Sequence, residues 1–564
     1  MHGYVRRGNS QPAWLFPFVV TVVLFLSVLP LLRLAGTGIV AFSRGGVSQV
    51  LADPALWSAT WYTVVTAILG TIISLAIGSL FAFLLTLTDV RGKGPLSFLF
   101  VLPMMIPPQV TALAWVQMSG PSSPLLKALH LAPPLGSPQP LYSVGGIALL
   151  YGVQHAPLVY LALRAGLMAL PRDGVEAARL SGASSLQVFR DVIFPLSLPG
   201  VIAAAAISFV SCTGNFGIPA ILGIPASILT LPTLIFSKFT AFTSRTFGDV
   251  ALLSAIIAII SVAGLAIQER ALRGRDYRVI GLSGATAIFE LGSWRFLAVP
   301  LLWLVLFFML VAPFLALLAG ALVPAYGVPL TFKTMSLHAF GEILFRQSVT
   351  RTAFANSLFL AATTAIGLLL VTILAAYALT RRRGFASRIV SSLIEIPYSL
   401  PGIVMAVSFI LVFAAPIPVL NVTLYGTIWI ILIAYFSSFF AVSLKPVVSA
   451  FHQFDPALEE AARLSGAGFF RRLFDILVPL IAPAAGASVI LVFLIACNEL
   501  TISALLWVAG TQTLGVVTFN LDDSGSSDLA SALSVLVVCM VVVMMLLLEL
   551  LAKRLPRGVV PWRS

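Results

Sequence analysis

The sequence predicts an all-α membrane protein of about twelve transmembrane helices, arranged as two parallel repeats of six helices. Of its 564 residues, 59% are hydrophobic and only 9% are charged, and the mean hydropathy is +1.06. Such a composition excludes a soluble domain. Apolar runs of about 20 residues, the length that crosses the hydrocarbon core as a helix, recur along the chain. A polar octapeptide that occurs twice, 284 residues apart, indicates the internal repeat.

Twelve apolar stretches are predicted to span the membrane: residues 13–33, 58–88, 97–118, 144–166, 198–218, 247–267, 296–322, 353–380, 391–414, 425–445, 482–507 and 529–552. The N-terminus is basic, and alternate loops after it hold most of the Lys and Arg, for example Arg179, Arg273 and Arg382. Because cytoplasmic loops carry an excess of Lys and Arg, we expect both termini in the cytoplasm. This distribution accounts for the net charge of +13 without a nucleic-acid partner. The three cysteines lie in apolar stretches and form neither a disulfide framework nor a zinc-site spacing.

The repeated octapeptide is Glu176–Ala183, which recurs letter for letter as Glu460–Ala467. Both copies continue without a gap to a Pro-Leu pair, and 11 of the 21 aligned positions are identical. A polar loop duplicated inside an apolar chain indicates two equivalent docking points for a soluble partner. The predicted organisation is a first transmembrane domain 1–268 with its loop at 171–196, a cytoplasmic linker 269–295, and a second transmembrane domain 296–564 with its loop at 455–480.

Each copy of the loop is predicted to form a short helix, a glycine bend and a second short helix. Asp173 and Glu176 resemble a capping box, whereas Asp455 and Pro456 fit a cap and a first helical position. Gly182 and Gly466 are expected to break the helices. An amphipathic helix resting on lipid headgroups is the alternative, but lipid would tolerate almost any basic amphipathic sequence and does not explain identical copies.

A second repeated motif lies in the third predicted span of each half, where the two prolines of Pro103-Met-Met-Ile-Pro107 match those of Pro397-Tyr-Ser-Leu-Pro401. Two prolines four residues apart cannot sit in an uninterrupted helix, because each removes an amide donor and clashes with the preceding turn. Broken backbone is tolerated in a membrane only where protein or a water-filled cavity surrounds it. The pair indicates either a kinked packing helix or a segment that lines a translocation path.

The Glu-Ala-Ala, three residues, Gly pattern resembles the EAA loop of permease subunits of binding-protein-dependent ABC importers. The resemblance covers nearly the whole chain and implies the type I importer fold, with two permease domains fused in one polypeptide. In such permeases the loop is the coupling helix that docks into a cleft of a cytosolic ATPase. The candidate ATPase-coupling residues are Glu176, Ala177, Ala178, Arg179, Gly182, Glu460, Ala461, Ala462, Arg463 and Gly466.

The resemblance implies that ATP is bound and hydrolysed by two copies of a separate ATPase, since the chain has no Gly-x-x-x-x-Gly-Lys-Ser/Thr phosphate loop. The chain itself is then not an enzyme and holds no cofactor or metal. It implies as further partners an extracytoplasmic solute-binding protein and the lipid of a bacterial inner membrane.

A polar cluster follows each loop at an equivalent place in the fifth predicted span. Asn215 stands in the first half, and Asn498 and Glu499 stand in the second, where Glu499 is 284 residues after Asn215. An ionisable residue inside a span is costly and usually faces a cavity. Two interpretations remain: a polar helix end in external water, or the outer part of a central gate. Together with Pro103, Pro107, Pro397 and Pro401, these residues are the candidates for the translocation path.

The segments around Asn215 and Asn498 resemble those of iron(III) importer permeases, which makes iron(III) the expected substrate. Fused permeases for thiamine, 2-aminoethylphosphonate and polyamines have related sequences and stay alternatives. Asn215 departs from the acidic residue often found at that place, so a pair of carboxylates that would suit a trivalent cation is absent.

Two other classes compete with an importer permease. A secondary transporter also has twelve spans and internal repeats, but it would need intramembrane ionisable residues, and the spans offer almost none besides Glu499. A membrane-embedded enzyme would need a catalytic cluster, and the five histidines are scattered along the chain.

Overall fold

The computed structural model describes residues 11–43, 46–134, 136–168, 170, 172–241, 246–272, 289–382, 384–416, 421–455 and 457–552. Within these ranges the regular structure is helical, apart from one isolated bridge between Thr88 and Phe289. Ten helices of the described residues are long and apolar enough to cross a membrane, and two bent helix pairs raise the total to twelve. The predicted all-α membrane protein is thereby confirmed.

The described residues of the first half form twelve helices, numbered here in chain order. They are α1 (Leu15–Ser43), α2 (Gly46–Ala52), α3 (Pro54–Leu87), α4 (Lys93–Met105), α5 (Pro108–Met118), α6 (Pro124–Ala128), α7 (Val144–Met168), α8 (Arg172–Leu180), α9 (Ser185–Gly214), α10 (Gly217–Leu222), α11 (Leu231–Thr240) and α12 (Thr246–Leu272). A π-helical turn at Leu24–Val28 interrupts α1, and another at Phe189–Ile193 interrupts α9.

The second half repeats this order, except that no helix among its described residues corresponds to α6. Its helices are α13 (Gly292–Ala321), α14 (His338–Gly341, continued by a π-helical turn Glu342–Arg346), α15 (Ser348–Arg381), α16 (Phe385–Ser399), α17 (Gly402–Phe413), α18 (Ile428–Gln453), α19 (Ala457–Leu464), α20 (Phe469–Cys497), α21 (Ser503–Leu506), α22 (Leu514–Asp523) and α23 (Ser527–Ala552). Thus α3, α7 and α9 of the first half correspond to α15, α18 and α20 of the second.

The third predicted span of each half is a bent pair of helices. The axes of α4 and α5 differ by 103°, and those of α16 and α17 differ by 108°. Each bend falls at the second proline of the pair, where Ile106 and Leu400 are extended because a proline disfavours helical backbone in the residue before it. The prediction that these prolines interrupt a helix is confirmed.

The helix of the fifth span in each half ends earlier than the sequence predicts. The predicted ranges 198–218 and 482–507 overrun α9 and α20, which end at Gly214 and Cys497. The chain then turns into the short helices α10 and α21, which Asn215 and Glu499 cap with their side chains. Apolar residues continue through these turns, so hydropathy alone does not mark the helix ends.

Three helices form the packed centre of each half: α3, α7 and α9 in the first, and α15, α18 and α20 in the second. Close approach of α3 and α7 depends on glycines. A Cβ atom on Gly152 would lie 2.2 Å from Cγ2 and 2.5 Å from Cβ of Ile73. Each half also contains an equivalent polar contact. In the first half, the Thr63 hydroxyl accepts a hydrogen bond from the Leu231 amide (2.8 Å), and in the second half, the Ser357 hydroxyl accepts one from the Leu514 amide (2.9 Å).

The first helix of each half packs against the opposite half. Helix α1 lies against α15, α16, α17 and α18, whereas α13 lies against α4, α5 and α6. The segments that lead into these helices bind the ends of the opposite second helices. Gln11 donates to the carbonyls of Tyr377 and Ala378 in α15, and the amide of Phe289 donates to the carbonyl of Leu87 at the end of α3. The two repeats are therefore interlocked.

An ion pair between Asp89 and Arg295 fixes the start of the second half to the first. The backbone amide of Leu291, together with the Arg295 guanidinium, lowers the pKa of Asp89 below its ordinary value. Most of the predicted linker 269–295 lies outside the described residues, which omit 273–288. Helix α12 extends to Leu272 and α13 begins at Gly292, so both ends of that predicted range are helical.

The glycine packing between α3 and α7 predicts a position-dependent effect of alanine within a single helix. Gly152→Ala is expected to lower the melting temperature of the detergent-solubilised protein, since overpacking a tight contact costs about 1–3 kcal/mol. Gly166→Ala in the same helix is the matched control, because a Cβ atom there meets nothing within 4 Å. The control should melt at the same or a higher temperature, as alanine favours helix. Equal melting of both variants would contradict the packing.

Candidate functional sites: the duplicated loop and the central cavity

The duplicated loops fold alike. Helices α8 and α19 both end in a Schellman motif: Gly182 donates to the Arg179 carbonyl (2.9 Å), and Gly466 donates to the Arg463 carbonyl (3.0 Å). The next amides, of Ala183 and Ala467, reach back five residues at 3.0 Å. Gly182 and Gly466 have φ angles of +82° and +83°, a region that residues with a Cβ atom rarely adopt. The predicted glycine bend is therefore present in both copies.

The exposed face of each loop is also the same. Glu176, Ala177, Arg179, Glu460, Ala461 and Arg463 are exposed, and Ala178 and Ala462 are half-buried. Leu180 and Leu464 follow at the helix ends, and each is 90% exposed. Leu186 and Phe470 are exposed at equivalent places one bend later. Each loop thus exposes two apolar side chains beside a Glu and an Arg. Such a pattern is more typical of a surface that contacts another protein than of one that faces water.

The beginnings of the two loop helices differ from each other. In the second loop the Asp455 carboxylate accepts a hydrogen bond from the Ala457 amide (2.9 Å), so Asp455 caps α19 as predicted. In the first loop α8 already begins at Arg172, and the predicted cap Asp173 lies within its first turn. There its negative charge still faces the positive end of the helix dipole. Pro456, predicted at the first helical position, lies outside the described residues.

A buried charge cluster supports the second loop only. The Glu459 carboxylate accepts a hydrogen bond from the Tyr377 hydroxyl (2.5 Å) and lies 2.9 Å from Nε of Arg381 and 3.7 Å from Nε of Arg472. The side chains of Glu459, Arg472 and Arg381 are only 6%, 8% and 14% exposed. This cluster joins α19 to the C-terminal end of α15 and to the start of α20.

The first loop has apolar residues at all four equivalent places. The counterparts of Tyr377, Arg381, Glu459 and Arg472 are Phe83, Leu87, Val175 and Val188, respectively. Leu87, Val175 and Val188 are buried, and Phe83 is partly buried in the hydrophobic core. The two loops therefore have the same outer face but different supporting interactions: buried ion pairs stabilise the second loop, and hydrophobic packing stabilises the first.

A cavity of about 350 Å³ lies between the two halves, at the proline breaks. Its first-half lining includes Ile106, Pro108, Gln109, Gln154 and His155. Its second-half lining includes Pro397, Tyr398, Ser438, Asn498 and Glu499. Gln154 lies near the middle of α7, so the cavity lies at about the mid-length of this helix.

The breaks are tied together by side-chain amides. The Gln154 amide nitrogen donates to the carbonyls of Pro103 and Ile106, both at 3.0 Å. The Asn498 amide nitrogen donates to the carbonyl of Met105 in the opposite half and to that of Leu494. The carbonyls of Pro103, Met105 and Ile106 lie at the interrupted end of α4, where the helical hydrogen-bond pattern stops, and the Leu494 carbonyl lies near the end of α20. At the other break, Pro401 packs against the position of Gly214, at the end of α9.

Asn215 and Glu499 have the same structural role in the two halves. The Asn215 side-chain oxygen accepts a hydrogen bond from the Ile218 amide (3.1 Å) at the start of α10. The Glu499 carboxylate accepts hydrogen bonds from the amides of Ile502 (2.7 Å) and Ser503 (3.2 Å) at the start of α21. Each residue therefore caps a short helix. Glu499 also lines the central cavity, whereas Asn215 does not contribute to its lining.

The structure brings together part of the predicted path. Asn498, Glu499 and Pro397 line the cavity, whereas Pro103, Pro107 and Pro401 shape it through the helix breaks that they impose. Sequence reasoning missed Gln109, Gln154 and Glu459. A usable signal existed for the first two, since uncharged amides inside apolar spans are uncommon. For Glu459 the signal was its alignment with Val175 in the repeat.

Comparison with known proteins agrees with the duplicated geometry. The family described as "Binding-protein-dependent transport system inner membrane component" matches this chain twice, at residues 74–273 and 367–560. Each match contains one copy of the loop. The chain belongs to this family. It is a fused, all-α membrane permease with two such units.

Related sequences are permease proteins. The chain is 27% identical over 528 residues, which are 90% of this permease and 89% of the relative, to "Probable ABC transporter permease protein y4fN" of Sinorhizobium fredii. It is 25% identical over 450 residues, 78% of this permease and 63% of the relative, to "Ferric transport system permease protein FbpB" of Actinobacillus pleuropneumoniae. It is 28% identical over 191 residues, 34% of this permease and 82% of the relative, to "Molybdenum transport system permease protein ModB" of Escherichia coli.

The buried charge cluster of the permease predicts that Glu459→Val lowers the melting temperature sharply. Removing one partner of a buried ion pair leaves an uncompensated charge, which costs about 3–5 kcal/mol. The combined variant Tyr377→Phe, Arg381→Leu, Glu459→Val and Arg472→Val reproduces the residues of the first half and should regain most of that loss. Val175→Glu, which introduces a carboxylate without arginine partners, is expected to destabilise the permease. If the single and the fourfold variant melt together, the four residues do not act as a unit.

Proposed function

We propose that this permease is the transmembrane subunit of an ATP-driven importer, in which each duplicated loop docks one copy of a cytosolic ATPase. The observation that carries this proposal is the identical outer face of α8 and α19, with exposed Leu180 and Leu464 at matching places. Helices as short as α8 (nine residues) and α19 (eight residues) are only marginally stable by themselves in water. Here both helices end in Schellman motifs and are stabilised by packing against the rest of the protein. A short rigid helix with apolar knobs is suited to a cleft in another protein.

The proposal divides the labour among several chains. One copy of the permease carries two loops, so the complex contains one permease and two ATPase subunits, and the ATP is bound and hydrolysed by those subunits. The permease itself has no catalytic site and no cofactor. Glu176, Arg179 and Gly182, with their equivalents Glu460, Arg463 and Gly466, form the contact that transmits the ATPase movement. Both termini lie in the cytoplasm of a bacterial cell, and the spans lie in its inner membrane.

The proposed substrate path runs between the halves, through the central cavity. An extracytoplasmic solute-binding protein delivers the substrate to the outer side, which is consistent with the family description. Alternating access then exposes the region around Asn498 and Glu499 to one side at a time. The breaks at Pro103–Pro107 and Pro397–Pro401 support this role, because they open the backbone at the depth of the cavity. Asn215 holds the equivalent place in the first half.

Iron(III) is the proposed substrate. The similarity to a permease named for ferric transport and the carboxylate of Glu499 in the cavity support it. 2-Aminoethylphosphonate, thiamine and polyamines are the alternatives within the same machinery. A secondary transporter is the remote alternative, and ATP dependence of uptake separates it from an importer.

The loop geometry predicts that Gly182→Asp and Gly466→Asp each uncouple ATP hydrolysis from transport in the reconstituted complex. A residue with a Cβ atom at a positive φ costs about 1–2 kcal/mol, and the helix end is therefore redirected. Gly174→Ala in α8 is the matched control, because the nearest atom to its Cβ is 3.8 Å away and its φ is not positive. Native mass spectrometry should show one permease and two ATPase subunits in every variant. Full substrate-stimulated hydrolysis in both aspartate variants would reject the assignment.

The substrate assignment predicts ATP-dependent uptake of radiolabelled iron(III) into proteoliposomes that contain the whole complex and its binding protein. Excess thiamine, spermidine or 2-aminoethylphosphonate should not compete. Uptake that needs an ion gradient and no ATP would instead indicate a secondary transporter. Competition by one of the three organic compounds would transfer the assignment to that compound.

A further inference from the structure

Each duplicated loop has an aromatic ring from the opposite half packed against its outer face. The Arg179 guanidinium, at the end of α8, lies 5.8 Å from the centroid of the Phe289 ring. The Phe470 ring of the second loop stacks on the Trp14 ring, with centroids 6.4 Å apart and an interplanar angle of 24°. Phe289 precedes α13 and Trp14 precedes α1, so each ring belongs to the half that does not contain the loop.

The segment that carries Phe289, residues 289–291, is fixed to the end of α3. The Phe289 amide donates to the Leu87 carbonyl (2.9 Å), and the Leu291 amide donates to the Asp89 carboxylate (3.0 Å). Because these two backbone contacts hold both ends of the segment, the Phe289 ring has a defined place beside Arg179.

The segment that carries Trp14, residues 11–14, is fixed to the end of α15 and to the second loop. The Gln11 amide nitrogen donates to the carbonyls of Tyr377 (3.3 Å) and Ala378 (3.0 Å). The Trp14 ring also meets the Phe469 ring edge-on, at a centroid distance of 6.1 Å, and Phe469 meets the Tyr377 ring at 5.5 Å. Tyr377 is a member of the buried charge cluster, so Trp14 is connected to the support of the second loop.

Both rings keep free surface next to the loop residues that they touch. Trp14 is 47% exposed and Phe470 is 58% exposed, whereas Phe289 is half-buried beside the exposed Arg179. Each ring and its loop residue therefore form one continuous patch, and a partner that covers the loop residue also meets the ring. Aromatic residues and Arg are enriched in protein interfaces, which favours a protein partner for these patches.

The added rings make the two outer faces different, although the loops have the same octapeptide. Arg463, the counterpart of Arg179, has no ion pair and no ring contact among the described residues. Leu186, the counterpart of Phe470, is 75% exposed and has no ring against it. The first face thus gains an aromatic ring at its Arg, and the second face gains one at its second apolar residue. Such aromatic and Arg side chains contribute strongly to the affinity of interfaces.

We propose that each ATPase docking face is composite, formed by the loop of one half and an aromatic residue of the opposite half, Phe289 at the first face and Trp14 at the second. Each ATPase subunit then contacts both halves of the permease, and the two faces bind their subunits with unequal affinity. This inference rests on the proposed docking function and adds two contact residues that lie outside the duplicated loops.

The test separates the two faces by disabling one at a time. Leu180→Asp places a charge on the first face and Leu464→Asp places one on the second, and both residues are 90% exposed, so the fold should tolerate either change. In lipid nanodiscs each full-length variant should bind one ATPase subunit, counted by native mass spectrometry. Titration with fluorescently labelled ATPase, purified from the complex, then gives the Kd of each face. The two values should differ about threefold or more, the scale of one aromatic contact.

Trp14→Ala should raise the Kd of the second face about fivefold or more and leave the first face unchanged. Phe289→Ala should weaken the first face by a similar factor and leave the second unchanged. Trp14→Phe keeps a ring and should retain most of the affinity. Misfolding would weaken both faces, so an effect confined to one face reports the contact itself.

Trp294→Ala is the matched control. Trp294 stands two residues before Phe296, as Trp14 stands two residues before Phe16, and it is 71% exposed. It has no ring contact among the described residues, so its removal should change neither Kd.

Three results would overturn the composite faces: equal Kd values for the two faces, aromatic variants that weaken both faces alike, or aromatic variants that weaken neither. The last result is also the one expected if the rings serve only as contacts to lipid headgroups. Failure of the docking function looks different, because Leu180→Asp and Leu464→Asp would then each still bind two ATPase subunits. If each binds one subunit and the aromatic variants have no effect, the docking function stands and the composite faces are rejected.

Discussion

Carbonyl groups that lose their helical partners inside a membrane must find donors within the protein, and this requirement organises the centre of the permease. The proline pair at the junction of α4 and α5 leaves carbonyls at the end of α4 without their usual helical donors. Gln154 satisfies two of them from the same half, and Asn498 satisfies another from the opposite half. Because one donor crosses the interface, the break that opens the backbone also joins the two repeats.

The two repeats have kept their outer geometry and changed their interior supports. Gly182 and Gly466 have almost the same φ, and Leu180 and Leu464 have the same exposure. Beneath them, a valine in one half corresponds to Glu459 in the other. A buried carboxylate is tolerated there only because Arg381 and Arg472 are adjacent, so these substitutions had to be compatible as a set. The two loops therefore share their exposed face, whereas the residues buried beneath it differ in chemistry.

The interlocked first helices link the two halves mechanically. Gln11 binds the C-terminal part of α15, and Phe289 binds the C-terminal end of α3. Trp14 also packs against Phe469 and Phe470, beside the second loop, with ring centroids 6.1 and 6.4 Å apart. These contacts connect the second loop and the ends of α3 and α15 to the segments that lead into the first helices of the opposite halves.

The amino-acid sequence by itself determined the membrane class, the two repeats, the glycine bends and the positions of the helix breaks. These features depend on local properties, such as the hydropathy of a stretch, the missing amide of Pro107 or the conformational freedom of Gly182, and such properties can be read one segment at a time. Only the tertiary structure decided which polar groups meet. Asn498 and Met105 are 393 residues apart, and Tyr377 and Glu459 are 82 residues apart. Their contacts arise from the packing of distant helices, as does the separation of Glu499, which lines the cavity, from Asn215, which caps a helix outside its lining. Hydropathy is a property of single stretches of sequence and does not predict which distant residues come into contact.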